Sequence, residues 1–253
     1  MLLALAVGNT HTVIGVARGD AIVATMRIRT EPRTTDELGL LLLRLLEQRG
    51  IDPEALTGAV VGSVAPAVLY TVEKACVRYL GVEPLVVGRN MKTGMRVRTD
   101  NPREIGADRI ANAVAAVHLY GGPVVVVAFG TATTVDCIDQ SGDYVGGAIA
   151  PGFRISEEAL FTRTSQLPRV ELSRPPSPIG RNTRHAIQSG LYWGYTGLVD
   201  RLAGRCRDAL APEARVVATG GMAALLAPDC ETIDHVEPFL TLKGLIHLHT
   251  RNA

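Results

Sequence analysis

The 253-residue sequence predicts an α/β protein built as two similar lobes around a central cleft, and three observations lead to that fold class. Short apolar runs bounded by glycine and polar turns alternate with longer runs of helical character. The strand-turn-strand unit LLALAVGNTHTV, residues 2–13, recurs about half a chain later as VVVVAFGTATTV, residues 124–135. With 47% hydrophobic and 20% charged residues, the chain also has enough apolar side chains for substantial cores, which excludes disorder.

Residues 2–7 and 12–17 are apolar runs around Gly8-Asn9-Thr10, the pattern of a β-hairpin. Thr35-Asp36-Glu37 precedes the leucine-rich stretch Leu38 to Gln48, which predicts a well-buried helix with Thr35 as its N-cap and Gly50 as its stop. Ala59 to Val64 reads as a buried strand, residues 66–80 as a helix and Pro84 to Val87 as another strand. Residues 88–103, GRNMKTGMRVRTDNPR, form a polar, basic loop of a length that in compact domains usually serves function or motion. Gly106-Ala107-Asp108-Arg109 then enters a helical run from Ile110 to His118. Gly121-Gly122-Pro123 marks the expected division into lobes of residues 1–120 and 121–253, and Val124 to Val127 is the most strand-like run in the chain. Beyond it come Gly146 to Gly152, a proline-rich connection at 174–178 and helical segments at about 183–205. A strand, Val216 to Thr219, runs into Gly220-Gly221, and a final helix lies near 240–250.

Charge and cysteine content narrow the function classes. Twenty-six Lys and Arg against 25 Asp and Glu leave a formal charge of +1, which provides no global field for nucleic acid or an anionic membrane surface. No apolar run approaches the roughly 20 residues of a membrane helix, and the apolar start lacks a basic leader. Cys76, Cys137, Cys206 and Cys230 are widely spaced, so neither a zinc site nor a disulfide framework is expected, and a reducing, cytoplasmic setting is. The six histidines show no metal-ligand spacing beyond the i, i+2 pair His247 and His249, which on a helix points to different faces, so no metal ligand is expected among them. Trp193 and Tyr195 read as core or interface packing.

Three glycine turns follow apolar strands: Gly8-Asn9-Thr10, Gly130-Thr131-Ala132-Thr133 and Thr219-Gly220-Gly221. Glycine lets backbone N–H groups approach a phosphate, and the hydroxyls of Thr10, Thr131 and Thr133 add donors. A lone glycine after a strand is usually only a tight turn. Two matched copies and a third at the expected place favour nucleotide binding. Asp108, beside Arg109 at a helix start, is either a general base or a capping carboxylate, and without further context capping is favoured.

These blocks resemble the type III pantothenate kinases in order and spacing. The resemblance rests on Val7-Gly8-Asn9-Thr10, Thr35-Asp36-Glu37-Leu38, Asp100-Asn101-Pro102 with Gly106-Ala107-Asp108-Arg109, and Phe129-Gly130-Thr131-Ala132. It continues through the run Gly146 to Gly152, Leu167-Pro168, Gly180-Arg181-Asn182-Thr183, Thr219-Gly220-Gly221 and the run Leu240 to Leu245, so it covers essentially the whole chain. It implies the duplicated actin-like, sugar-kinase-like and Hsp70-like (ribonuclease H-like) fold, a dimer, and ATP-dependent phosphorylation of pantothenate in coenzyme A synthesis. It further implies Asp108 as the catalytic base, Gly106 and Arg109 at the pantothenate, and Thr183 reaching pantothenate bound by the neighbouring protomer. Gly8, Asn9, Thr10, Gly130, Thr131, Thr133, Gly220 and Gly221 fall to the nucleotide. Mg²⁺ and a monovalent cation, K⁺ or NH₄⁺, accompany ATP in the family.

Three positions depart from that pattern. The family opens its first phosphate motif with Asp-x-Gly-Asn-Thr and its second with Asp-Phe-Gly-Thr, where this sequence has Ala6 and Ala128; Thr99 stands where relatives commonly carry a tyrosine. Alanine offers no oxygen to a hard cation, which is normally anchored by one or two carboxylates plus substrate phosphates. Asp136 and Asp139 lie too far along the returning strand to substitute. The expectation is therefore a degenerate kinase subunit that pairs with an intact paralogue. The alternatives are an active homomeric pantothenate kinase with altered metal anchoring, and a ligand-binding regulator of the Bvg accessory factor type. Near-neutral charge and the lack of a helix-turn-helix weigh against direct DNA contact by the latter.

Overall fold

The computed structural model describes residues 1–88, 91–164 and 166–253, so Arg89 and Asn90 of the polar stretch, and Ser165, lie outside the described residues. From the N-terminus the chain forms strands β1 (Leu2–Val7), β2 (His11–Arg18) and β3 (Ala21–Arg29), helix α1 (Thr35–Gln48), strand β4 (Gly58–Ser63), helix α2 (Pro66–Leu80), strand β5 (Pro84–Val86) and helix α3 (Ala107–Tyr120). It repeats the scheme with β6 (Val124–Phe129), β7 (Ala132–Ile138), β8 (Tyr144–Pro151), α4 (Phe153–Thr162), α5 (Thr183–Leu210), β9 (Arg215–Gly220), the short α6 (Ala223–Leu226) and β10 (His235–Val236), and closes with α7 (Leu240–Asn252).

The repeat read from the sequence is a repeat of topology. The first sheet runs β3-β2-β1-β4-β5 and the second, read from its other edge, β8-β7-β6-β9-β10. In both, the central strand pairs antiparallel with its hairpin partner and parallel with the strand that follows the crossover. Placing LLALAV and VVVVAF at these positions follows from burial. A strand flanked on both sides within a sheet and covered on its faces is apolar along nearly its whole length, and Val124 to Val127 are all fully buried.

One face of the first sheet sends Leu3, Leu5 and Val7 into a core with Leu38, Leu42 and Leu46 of α1 and Val72, Ala75 and Cys76 of α2. Each fully buried large apolar side chain contributes about 1.5–3 kcal/mol of transfer free energy. Helix α7 packs on glycines of the sheet. A Cβ at Gly15, Gly62 or Gly58 would stand 2.8 Å from atoms of Leu242, Leu245 or His249, so these glycines let the helix seat closely on the sheet. The second sheet builds its own core from Val125, Val127, Phe129, Phe153, Tyr192, Tyr195 and Val199, among others.

The chain does not divide at a single point. Two compact units emerge, one of Met1–Met95, Asp100–Ala115 and Leu240–Ala253, the other of Arg96–Thr99 and Ala116–Phe239. Helix α7 therefore belongs to the first unit, although a cut near residue 120 would assign it to the second. Part of the polar stretch joins the second unit because it pairs as an extra strand segment. Val97 bridges to Tyr144, Tyr144 N–H donates to Arg96 O (2.9 Å), and Arg98 N–H donates to Tyr144 O (2.8 Å). Ion pairs of Arg96 with Asp143 (3.0 Å) and Arg98 with Asp139 (3.1 Å) flank that pairing.

Helix α1 begins one residue earlier than the Thr35 cap implies. Thr34 is the N-cap: its Oγ1 accepts from Glu37 N–H (3.2 Å), and Glu37 Oε2 accepts from Thr34 N–H (2.7 Å). The reciprocal pair needs an acid three residues after the cap, which Thr34 has in Glu37 and Thr35, followed there by Leu38, lacks. Among the described residues no helix is long and apolar enough to cross a membrane.

Candidate functional site

In the first unit, β1 leaves the sheet at Val7 and turns through Gly8-Asn9-Thr10. Gly8 N–H donates to His11 O at 3.1 Å, while Asn9 and Thr10 are exposed. Thr30 N–H donates to Thr10 O (3.0 Å), and the buried Thr12 hydroxyl pairs with Thr30 Oγ1 (2.9 Å), so this hairpin is fastened inside its own sheet. The parallel neighbour β4 ends beside it, with Val64 N–H donating to Val7 O at 2.9 Å. A Cβ on Gly106 would stand 3.1 Å from Val64 and 2.6 Å from Asp108 Oδ1, so the start of α3 abuts that strand end. The half-buried Asp108 accepts Arg109 N–H through Oδ1 at 2.8 Å. The structure thus brings Gly8, Asn9, Thr10, Gly106, Asp108 and Arg109 to the carboxyl ends of β1 and β4. That is the edge where α/β sheets usually bind ligands.

The second unit has a shorter turn, Gly130-Thr131, with Gly130 N–H donating to Ala132 O at 3.1 Å. Gly220 sits opposite Phe129 at the end of β9 with φ +97°, and a Cβ there would be 2.5 Å from Phe129 O. A Cβ on Gly152 would fall 2.1 Å from Thr131 O and 2.6 Å from Gly130 O. Three backbone segments therefore stack with no room for side chains, and the exposed Gly130, Thr131, Gly220 and Gly221 lie at the carboxyl ends of β6 and β9.

Thr133 is placed differently from the other predicted nucleotide residues. It is 1% exposed, and its hydroxyl pairs with the Tyr195 hydroxyl beneath the turn. Thr183, the exposed first residue of α5, is not at the turn: at 1.5 Å per residue it lies about 18 Å along the helix from Tyr195. Asn182 caps that helix by accepting His185 N–H at 2.9 Å.

Ala6 and Ala128 occupy equivalent places. Each is the half-buried penultimate residue of its central strand, opposite Gly62 on β4 and Thr219 on β9 respectively. The equivalence shifts by one residue after the turn, because the second turn is shorter. Thr12 faces Val7 and Thr133 faces Phe129, so Thr12 corresponds to Thr133 rather than to Thr134 as the aligned sequences imply. The nearby acids are committed elsewhere. Asp136 is fully buried and accepts from Tyr144 Oη (2.6 Å) and Thr134 Oγ1 (3.0 Å). Asp139 accepts the N–H groups of Ser141 (2.9 Å) and Asp143 (3.0 Å). No group of three or more His, Cys, Asp or Glu able to hold a metal occurs among the described residues. The residues present do not fit a cation held by carboxylates at the two strand ends.

A family model for type III pantothenate kinase matches residues 2–205. The chain belongs to the type III pantothenate kinase family. Its fold is the actin-like, sugar-kinase-like and Hsp70-like one, as solved structures of similar architecture show. A protein from Campylobacter jejuni described as a Baf family transcriptional activator aligns over 99% of this chain and 98% of its own, with 17% identity and a TM-score of 0.60. One from Sinorhizobium meliloti described as a 2-dehydro-3-deoxygalactonokinase covers 100% and 96%, with 12% identity and a TM-score of 0.59. The activator of 2-hydroxyisocaproyl-CoA dehydratase from Clostridium difficile, solved with ADPNP, covers 99% and 94%, with 15% identity and a TM-score of 0.55. At such identities the likeness is one of fold.

Sequence reasoning gave no site role to Tyr195 or Gly152. Gly152 carries a signal, since it ends the glycine-rich block Gly146 to Gly152. Tyr195 carries none, because only the folded chain brings α5 under the second turn.

Proposed function

We propose that this chain is a pantothenate kinase-family subunit that keeps the surfaces for ATP and pantothenate but is nearly inactive alone, and that it works with an intact paralogous chain. The observation that supports this is selective loss. Ala6 and Ala128 stand at matched strand ends without an oxygen to offer, while the glycine turns and the Asp108-Arg109 helix start are retained in the sequence and lie at the carboxyl ends of their strands.

In this reading the phosphates of ATP fall to the exposed residues of the glycine turns, Asn9, Thr10, Thr131, Gly220 and Gly221, the N–H groups of Gly8 and Gly130 being bonded to His11 O and Ala132 O within their own turns. Arg109 pairs with the pantothenate carboxylate. Asp108, with Oδ1 taken by Arg109 N–H, offers Oδ2 as the acceptor for the proton of the substrate hydroxyl. Phosphoryl transfer depends mostly on positioning and charge neutralisation, and Mg²⁺ with a monovalent cation supplies the latter in the family. Thr183, exposed at the start of α5, is offered to the partner's substrate.

Purified chain, intact paralogue and their mixture, each assayed for ATP- and pantothenate-dependent turnover, test this. The chain alone should be slow, and the mixture should associate and turn over faster than the paralogue alone. No association and no change in rate would end the subunit reading. Ordinary turnover by the chain alone, abolished by Asp108→Asn, would favour the homomeric enzyme instead.

A further inference from the structure

The second glycine turn rests on Tyr195. This side chain is 5% exposed and comes from the middle of α5, sixty-two residues beyond Thr133 in sequence. Its ring lies edge-on to Phe153 at 5.1 Å and tilted against Phe129 at 6.3 Å. Those two aromatics flank the two glycine segments, Phe129 leading into Gly130 and Phe153 following Gly152. Its hydroxyl pairs with Thr133 Oγ1 and donates to Pro151 O at 3.3 Å. Because a tyrosine hydroxyl carries one proton, the arrangement that satisfies all three groups has Thr133 donating to Tyr195 and Tyr195 donating to Pro151.

Thr133 follows the Gly130-Thr131 turn and Pro151 precedes Gly152, whose backbone lies against Thr131 O and Gly130 O. One hydroxyl thus holds both backbone segments that shape the turn. The corresponding residue of the first hairpin, Thr12, is instead satisfied by Thr30 within the same sheet (2.9 Å). We infer that Tyr195 is a positioning residue for phosphate binding. It fixes the Gly130-Thr131 turn against Gly152, so that the exposed turn is set for an anionic phosphate before one arrives. The geometric part stands on the contacts alone, and the phosphate part rests on the functional reading above.

The test uses the full chain and Tyr195→Phe, which deletes only the hydroxyl, with Thr133→Val removing the same bond from the other side and Thr133→Ser retaining it. Amide hydrogen exchange is read in parallel with ATP titration. The expected result is at least tenfold faster exchange at residues 130–132 and 152–153 in Tyr195→Phe and Thr133→Val, unchanged exchange at Val125 to Val127, and near-native exchange in Thr133→Ser. ATP affinity should fall about fivefold or more in the first two variants only. Unchanged exchange at the turn, or loosening spread evenly through the second sheet, overturns the positioning role. Local loosening with unchanged ATP affinity overturns its link to phosphate. If the native chain binds no ATP, the nucleotide reading and the phosphate role of Tyr195 both fall, while the exchange data still decide whether Tyr195 sets the turn.

Discussion

The β1–β2 and β6–β7 hairpins each fold back at a glycine turn, the second shorter by one residue, yet the first is held by its neighbour in the sheet and the second by a helix from further along the chain. Thr12 bonds Thr30 (2.9 Å) at the same sheet's edge, whereas Thr133 bonds Tyr195 of α5, and Gly152 closes tightly beneath the second turn alone. Duplication preserved the backbone path, since strand pairing fixes it. The support beneath each turn diverged, because a single buried hydroxyl can be satisfied by any partner that reaches it.

The largest effect should come from a feature the hairpins share, the alanine at the penultimate position of each central strand. Replacing Ala6→Asp and Ala128→Asp together should raise turnover of the purified chain by about a hundredfold or more, each factor of ten being about 1.4 kcal/mol of transition-state stabilisation. Either change alone should give less. A double variant no faster than the native chain would show that lost carboxylates do not limit it.

Glycine substitution sharpens the contrast in packing. Gly152→Ala would press a methyl to 2.1 Å from Thr131 O, against 2.9 Å from His11 O for Gly8→Ala. Urea unfolding should register about 1–3 kcal/mol for the former and less for the latter. Equal losses would break the comparison. A smaller change is expected from Thr12→Val, which leaves Thr30 Oγ1 without its partner: about 1 kcal/mol, with faster exchange in the first sheet only.

The smallest effect is an acid-dependent one confined to the second unit. Asp229 accepts two hydrogen bonds from Arg174 (2.7 and 2.9 Å) and one from Tyr192 (2.6 Å). Those of Arg174, followed by that of Tyr192, hold its carboxyl down to about 2. A carboxyl lowered in the folded state contributes stability that is full above the unfolded value, about 4, and is lost as pH falls towards 2. Asp229→Asn should flatten that portion of the stability curve. Superimposable acid limbs for native chain and variant would remove the pair from the account.

Much of the site was legible because its residues are local in sequence. Gly8-Asn9-Thr10 and Gly106 to Arg109 announce themselves as turn and helix start, and the structure brings both to the ends of β1 and β4. Thr133 was legible only as a residue near a glycine turn. Its inward orientation follows from a one-residue difference in turn length, which reverses the face of every following side chain. Strands β3 and β8 were hidden for separate reasons. The exposed edge strand β3 mixes Arg27 and Arg29 into an apolar run, and β8 contains Gly146 and Gly147, which lower strand character.

The sequence alone determined the alternation of strands and helices, the duplication, and the absence of carboxylates at residues 6 and 128, because apolar periodicity and residue identity are local properties. Tertiary structure decided that α7 belongs with the first sheet and that α5 supports the second turn. Those outcomes depend on which distant glycines leave room for a helix and which distant hydroxyl reaches a buried partner, and neither is encoded in any one stretch of chain.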